Sequence, residues 1–197
     1  MLKPPALVIG LLSLGLLVSS PVVASTLSQT VHFPEANADT LFELYATAEG
    51  HTQITGLPVA FKSADGADTD KAEVGGVLDA FCFEPGKCGL NARILDISSA
   101  NGVHTITLSW WNFDWVSAID PGDLTVEGRG APDSTVVMTF RDTLRGAQIE
   151  LVHVNVPDFK VRIPNPDKTE ELGYLSTIVN THWNTLYWDG FRRVVAQ

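Results

Sequence analysis

The C-terminal end of the chain carries apolar residues at helical spacing. Between Asp167 and Val194 they recur every three to four residues: Leu172, Leu175, Val179, Trp183, Leu186, Phe191 and Val194. This period predicts one amphipathic helix over 167–194, about 40 Å long at 1.5 Å per residue. Asp167 and Glu170 resemble a capping box, and Arg192 and Arg193 suit the C-terminal end of the helix dipole. Such a helix needs a broad apolar surface to pack on.

The preceding part of the chain consists of short runs of alternating apolar and polar residues, which is typical of half-buried strands. Strands are predicted at 27–33, 57–63, 76–83, 89–98, 103–111, 135–140 and 148–154. Asn101-Gly102 is a hairpin signal that favours antiparallel pairing, and a second hairpin is expected to turn near 144–146. The pattern predicts an α+β domain in which a curved antiparallel sheet of about six or seven strands wraps around the C-terminal helix.

A shorter helix is predicted at 38–48, with Asn37 as its N-cap and Gly50 as its end. The alternation fades at 112–133, which is expected to be a long excursion from the sheet. Pro157, Pro164 and Pro166 argue against regular structure before the final helix.

The first 24 residues have the pattern of a secretory signal peptide. Lys3 precedes an apolar run, and small residues end the segment at Ala24. A retained membrane anchor is the alternative reading, although Ser19, Ser20 and Pro21 interrupt the run. Cleavage leaves one domain at 25–197, with no transmembrane span and a periplasmic or secreted location.

The charge balance and the two cysteines limit the possible partners and redox chemistry. Without Lys3, 12 of the 13 basic residues remain against 23 acidic ones, a balance of −11. Such a surface disfavours nucleic-acid binding. Cys82 and Cys88 enclose a Pro-Gly turn signal, so a disulfide is expected, with a redox-active pair as the alternative.

Eight aromatic and histidine residues are candidates for lining a ligand cavity. They are Trp110, Trp111, Phe113, Trp115, His104, His153, Trp183 and Tyr187. Alternate strand residues point the same way, so at least two of the four in 110–115 should face inside, either as pocket lining or as core. Gly190 either leaves space beside the helix aromatics or packs closely against a strand.

Motifs for covalent or metal chemistry are weak. His104, His153 and His182 could approach the interior, but none shows a short ligand spacing, so no metal is predicted. The acidic loop at 65–73 does not match a calcium-binding loop. No nucleophile elbow or phosphate-binding loop occurs, and therefore neither catalytic residues nor cofactors are assigned.

The order strand, helix, strands and terminal helix resembles the helix-grip fold of the START and birch-pollen-allergen superfamily. The chain looks most similar to the C-terminal domain of the activator of heat-shock protein 90 ATPase. The segments that carry this resemblance are 38–45, 74–76, 94–97, 108–110, 136–140, 151–157 and 182–188. His182 departs from it, since that family usually has Gly there. The resemblance implies a pocket and leaves its use open.

The expected function is the binding of a small hydrophobic or amphipathic molecule between the sheet and the C-terminal helix, without catalysis. One alternative is a cyclase- or hydrolase-like enzyme that uses His153 or His104 as its base. Another is a module that binds envelope proteins through the excursion, around Trp115, Leu124 and Arg129.

Overall fold

The structure, a computed structural model, describes residues 24–84, 87–112, 134–157, 160–163 and 171–197. Ten strands lie in these ranges. They are β1 (Ala24–Phe33), β2 (Val59–Lys62), β3 (Asp68–Thr69), β4 (Val77–Glu84), β5 (Lys87–Ala100), β6 (Val103–Asn112), β7 (Ser134–Thr143), β8 (Gly146–Pro157), β9 (Lys160–Ile163) and β10 (Glu171–Tyr174).

Eight strands form one antiparallel sheet in the order β1-β8-β7-β6-β5-β4-β2-β3. The eighth strand is the two-residue β3, in the loop that the sequence left unstructured. Alternation places one set of β6 side chains inward, with Ile106, Leu108 and Trp110 buried. The predicted hairpin is confirmed: Asn101 and Gly102 both have positive φ (53° and 73°) and connect β5 to β6.

Two helices replace the single one predicted at 38–48. Helix α1 (Ala38–Ala46) begins after Asn37, whose side chain accepts from the Thr40 amide as expected. Helix α2 (Ala48–Thr55) follows at once, so Gly50 does not end the helical region. A Cβ on Gly50 would lie 2.6 Å from the Leu44 backbone, so this residue permits the tight elbow between the helices.

The C-terminal helix begins later than predicted. It consists of α3 (Leu175–His182), a π-helical segment (Trp183–Trp188) and α4 (Asp189–Val195). Leu172 lies in β10, whose ladder with β9 provides backbone hydrogen bonds up to Tyr174. The expectation that no regular structure precedes the final helix is also wrong, because β8 ends at Pro157 and the strands β9 and β10 follow it. The proposed capping box at 167–170 lies outside the described residues.

The π-helical segment determines which side chains of this helix face the sheet. Its i→i+5 hydrogen bonds, such as Asp189 N–H to the Asn184 carbonyl, place an extra residue in the turn. As a result Trp183, Tyr187 and Trp188 are all buried. The α-helical period predicted Leu186 at the interface and missed Trp188, while in the structure Leu186 is only partly buried.

Polar and apolar contacts attach this helix to β1. Gln29 donates to the Asn180 side-chain oxygen at 2.6 Å, and its own oxygen accepts from the Trp188 indole. Phe33 and Phe191 pack with ring centroids 5.6 Å apart. The helix therefore lies against the sheet edge formed by β1 and β8.

Candidate functional site

Aromatic side chains from the sheet and the helices meet between the sheet and the C-terminal helix. Trp110 stacks on Trp183 with ring centroids 5.4 Å apart, and Trp183 contacts Tyr187 at 4.6 Å. Tyr45 of α1 lies 6.0 Å from Tyr187. Two histidines border these rings. We call the following set the aromatic cluster: Tyr45, His51, Trp110, His153, Trp183 and Tyr187.

His153 joins two strands to the C-terminal helix through hydrogen bonds. The Trp183 indole N–H can only donate, and it lies 3.3 Å from His153 Nδ1. That nitrogen is therefore unprotonated, so the neutral ring carries its proton on Nε2 and donates it to Ser134 Oγ at 2.9 Å. Burial lowers the pKa of His153 to about 3, because desolvation disfavours the charged ring. His153 is thus a neutral residue with both ring nitrogens occupied.

His51 makes the equivalent connection at the other end of the cluster. Its Nδ1 lies 2.9 Å from the Tyr45 carbonyl, which can only accept, so this nitrogen carries the proton. Its Nε2 therefore accepts from the Tyr187 hydroxyl at 3.1 Å. Burial lowers the pKa of His51 to about 4, and the hydrogen bond to the Tyr45 carbonyl opposes that shift. Burial also raises the pKa of Tyr187.

Two buried polar atoms of the aromatic cluster have no hydrogen-bond partner in the part of the chain that the structure describes. They are the Tyr45 hydroxyl and the Trp110 indole nitrogen. Tyr45 is fully buried and Trp110 is 4 % exposed. A buried polar group that makes no hydrogen bond costs about 1–3 kcal/mol, and most buried polar groups in proteins are bonded. These two atoms therefore distinguish the cluster from a fully satisfied hydrophobic core.

Four of the eight predicted cavity residues meet in the aromatic cluster: Trp110, His153, Trp183 and Tyr187. Trp111 belongs to β6, but its side chain is not described, and Phe113 and Trp115 lie outside the described residues. Among the described residues, the rings of the cluster occupy the space between the sheet and the helix. Their assignment to ligand binding stays a prediction.

His104 does not join the cluster. It lies at the hairpin end of β6, where its ring stacks on Phe42 at 4.7 Å. Its Nδ1 is 2.8 Å from Ser99 Oγ and its Nε2 is 2.7 Å from an Asp39 carboxylate oxygen. His182, the third histidine considered, contacts Phe81 instead, and burial lowers its pKa.

The sequence did not identify Tyr45 and His51 as site residues. Tyr45 was expected in the apolar stripe of the first helix, and His51 follows the glycine that was expected to end that helix. Because α2 continues through Gly50, His51 reaches the interior. The sequence did contain a signal for a second helix: Thr47 is a favourable N-cap residue, and its side chain accepts from the Gly50 amide at the start of α2.

Gly190 packs closely, but against a helix. A Cβ there would lie 2.1 Å from the Ile54 carbonyl oxygen at the end of α2. The Arg193 guanidinium donates to the same oxygen at 2.8 Å. Gly190 therefore leaves no open space at this position, and the expected strand contact is replaced by a contact with α2.

An open groove of about 1120 Å³ is lined by residues of α1, α2 and β3 and by the residues that follow β3. Its charged lining consists of Asp39, Glu43, Glu49, Asp70 and Lys71, a balance of four carboxylates against one ammonium. Its lining contains none of the residues of the aromatic cluster, so it differs from the interior pocket that the sequence predicts.

The remaining features of the described ranges concern the cysteines, metal ligands and helix length. Cys82 and Cys88 form a disulfide across the β4–β5 hairpin, as predicted. These ranges contain no group of three or more side chains suited to a metal ion. None of their helices combines the length and apolar character needed to cross a bilayer.

Comparisons with known proteins identify the fold. No family model matches the chain, and no curated protein matches it. Among solved structures, an HSP90 activator from Plasmodium falciparum matches with 16% identity and a TM-score of 0.51, covering 88% of this chain and 96% of that one. Ara h 8.0201 matches with 13% identity and a TM-score of 0.53, covering 88% and 99%. These likenesses, with the sheet and terminal helix, confirm the helix-grip fold that the resemblance implied.

Proposed function

We propose that this helix-grip domain is an exported protein that binds a small hydrophobic or amphipathic molecule between its sheet and its C-terminal helix. The observation that carries the proposal is the aromatic cluster, with two buried polar atoms that have no partner among the described residues. Rings provide large apolar contact area, and a few polar atoms orient a ligand, which is how small-molecule sites are usually built.

To admit a ligand, the side chains on the buried face of the C-terminal helix must move. Trp183 and Tyr187 both lie in the π-helical segment, and such segments frequently occur at functional sites. Movement of these two side chains away from Trp110 opens space beside the unpartnered atoms. The ligand then occupies the region where Trp183 stacks on Trp110.

Export is supported by two observations. Residues 1–24 have the signal-peptide pattern, and the Cys82–Cys88 disulfide suits an oxidising compartment. N-terminal sequencing of the protein from cell fractions tests this part: Ser25 as the first residue is expected. A protein that retains Met1, in a fraction where both thiols react, contradicts export.

Native mass spectrometry of gently purified protein tests binding. We expect a co-purifying mass of a few hundred daltons, of a size a domain pocket can hold. The position of the ligand is tested by following the indole N–H signals of the five tryptophans in NMR spectra. Addition of the identified ligand should shift the Trp110 and Trp183 signals, assigned through Trp→Phe variants.

Trp188, whose indole donates to Gln29, is the internal control and should change least. The proposal fails if no small molecule co-purifies and none is gained from lipid extracts. Ligand-dependent shifts that spare both Trp110 and Trp183 contradict the proposed location.

A second function, hydrolysis of small esters, is favoured by one observation. Ser99, His104 and Asp39 form a hydrogen-bonded series, with distances of 2.8 Å and 2.7 Å. Asp39 accepts from Nε2–H, so in the neutral ring Nδ1 can take the Ser99 proton, as in nucleophile–base–acid arrangements. A fluorophosphonate probe, which labels activated serines, tests this function. Hydrolysis is supported if the probe labels Ser99, if Ser99→Ala abolishes the labelling and if the control variant Ser98→Ala retains it. Absence of labelling at Ser99 rejects it.

A further inference from the structure

The polar atoms buried beside the aromatic cluster restrict the chemistry of its ligand. Among the residues whose side chains the structure describes, the buried polar ones are His51, Thr55, Ser134, Gln148 and His153, and none of the buried ones is Asp, Glu, Lys or Arg. A charged ligand would therefore lose its hydration without meeting an opposite charge, which is strongly unfavourable. The interior is suited to a molecule without net charge.

The histidines do not change this conclusion. The two ring nitrogens of His153 are engaged by Ser134 and Trp183, and those of His51 by Tyr45 and Tyr187. Both rings are neutral in the tautomers that these bonds require. Neither has a free position for pairing with an anion.

The two polar atoms that have no partner among the described residues specify the ligand further. The Trp110 indole can only donate, so its partner must be an acceptor. The Tyr45 hydroxyl can donate or accept. Trp183 and Tyr187 connect the two rings, since Trp183 stacks on Trp110 and Tyr187 lies beside Tyr45.

We infer, on the basis of the proposed function, that the ligand is an uncharged amphipathic molecule with an acceptor oxygen that binds the Trp110 indole N–H, with the Tyr45 hydroxyl as a second anchor. A ketone, ester, ether or alcohol on an apolar body has this chemistry. Fatty-acid anions and amines do not.

Two matched probe series test the inference, one on a naphthalene ring and one on an octyl chain. Each contains a methyl ketone, a branched hydrocarbon of the same shape, a carboxylate and a primary ammonium. Affinities are measured by quenching of tryptophan fluorescence. We expect the ketone to bind at least about tenfold more tightly than the hydrocarbon and about a hundredfold more tightly than either ion.

Substitutions then assign the anchors. Trp110→Phe retains a ring but removes the N–H, and Tyr45→Phe removes only the hydroxyl. Trp110→Phe should reduce the preference for the ketone over the hydrocarbon about tenfold, whereas Tyr45→Phe should weaken only a ligand that carries a second polar group. Trp188→Phe is the matched control for Trp110→Phe, because Trp188 lies outside the aromatic cluster and its indole already donates to Gln29, so its loss should not affect that preference.

The outcomes separate this inference from the proposed function. A carboxylate or ammonium that binds within tenfold of the ketone overturns the inference, while binding of an apolar molecule stands. An unchanged ketone preference in Trp110→Phe also overturns it. If no member of either series binds and no molecule co-purifies, the proposed function fails as well.

Discussion

Tyr45 and Tyr187 allow one structural argument to be tested by a pair of almost identical substitutions. Both tyrosines are buried in the same cluster, with ring centroids 6.0 Å apart. The Tyr187 hydroxyl donates to His51 Nε2 at 3.1 Å, whereas the Tyr45 hydroxyl has no partner among the described residues. Changing each to phenylalanine removes a single oxygen and retains the ring.

The expected effects on stability have opposite signs. In Tyr187→Phe, His51 Nε2 becomes a buried acceptor without a donor, which should lower the free energy of unfolding by about 1–3 kcal/mol. In Tyr45→Phe, a buried hydroxyl that makes no bond is removed, so the desolvation penalty of that group disappears. Stability should stay the same or rise by about 1 kcal/mol.

Urea unfolding of the ligand-free variants at pH 7, followed by far-UV circular dichroism, measures both values. With a slope of about 2 kcal/mol per molar urea, the two midpoints should differ by about 0.5–2 M. A Tyr45→Phe variant that is destabilised as much as Tyr187→Phe would refute the reasoning, because it would mean that both hydroxyls are satisfied in the folded protein.

Three further predictions concern other parts of the domain. Gly190→Ala should lower the free energy of unfolding by about 1–3 kcal/mol, measured by thermal or urea unfolding, because the added Cβ would lie 2.1 Å from the Ile54 carbonyl oxygen. Helix propensity alone predicts an increase of about 1 kcal/mol, and such an increase would contradict that contact. Because the pKa of His153 is about 3 when folded and 6.5 when unfolded, its neutral form contributes stability above pH 6.5 that is lost as the pH falls toward 3, by up to about 1.4 kcal/mol per unit. His153→Gln, which can keep both hydrogen bonds, should show a shallower loss between pH 7 and pH 5 in urea midpoints; an equal loss would show that another group is responsible. Replacing Cys82 and Cys88 together by alanine should cost about 2.4 kcal/mol, the loop-closure entropy of a seven-residue loop, and unchanged stability under oxidising conditions would contradict this.

Much of the sheet and its connections follows from local sequence. Alternation along 103–110 and 135–140 places every second side chain on the buried face, and this depends only on the period of a strand. Asn101 and Gly102 adopt positive φ in a two-residue turn, which these residue types tolerate best. The Asn37 cap is likewise a contact between neighbours in sequence.

The candidate site was predicted only in part, because its contacts join residues far apart in the chain. Trp110, His153, Trp183 and Tyr187 were candidates from their residue types and their expected elements. Nothing local showed that the Trp183 indole would donate to His153, thirty positions away. The same holds for His51 and Tyr187, which are separated by 136 positions.

The sequence by itself determined the class of fold, the hairpins and the amphipathic character of the C-terminal helix, since these depend on backbone geometry and on neighbours along the chain. The tertiary structure decided where that helix begins and which face it presents. Leu172 joins a strand because a ladder with β9 is available, and Trp188 turns inward because the π-helical segment adds a residue to the turn that packs on the sheet. Such choices depend on the surface against which a segment packs, and no local pattern records that surface.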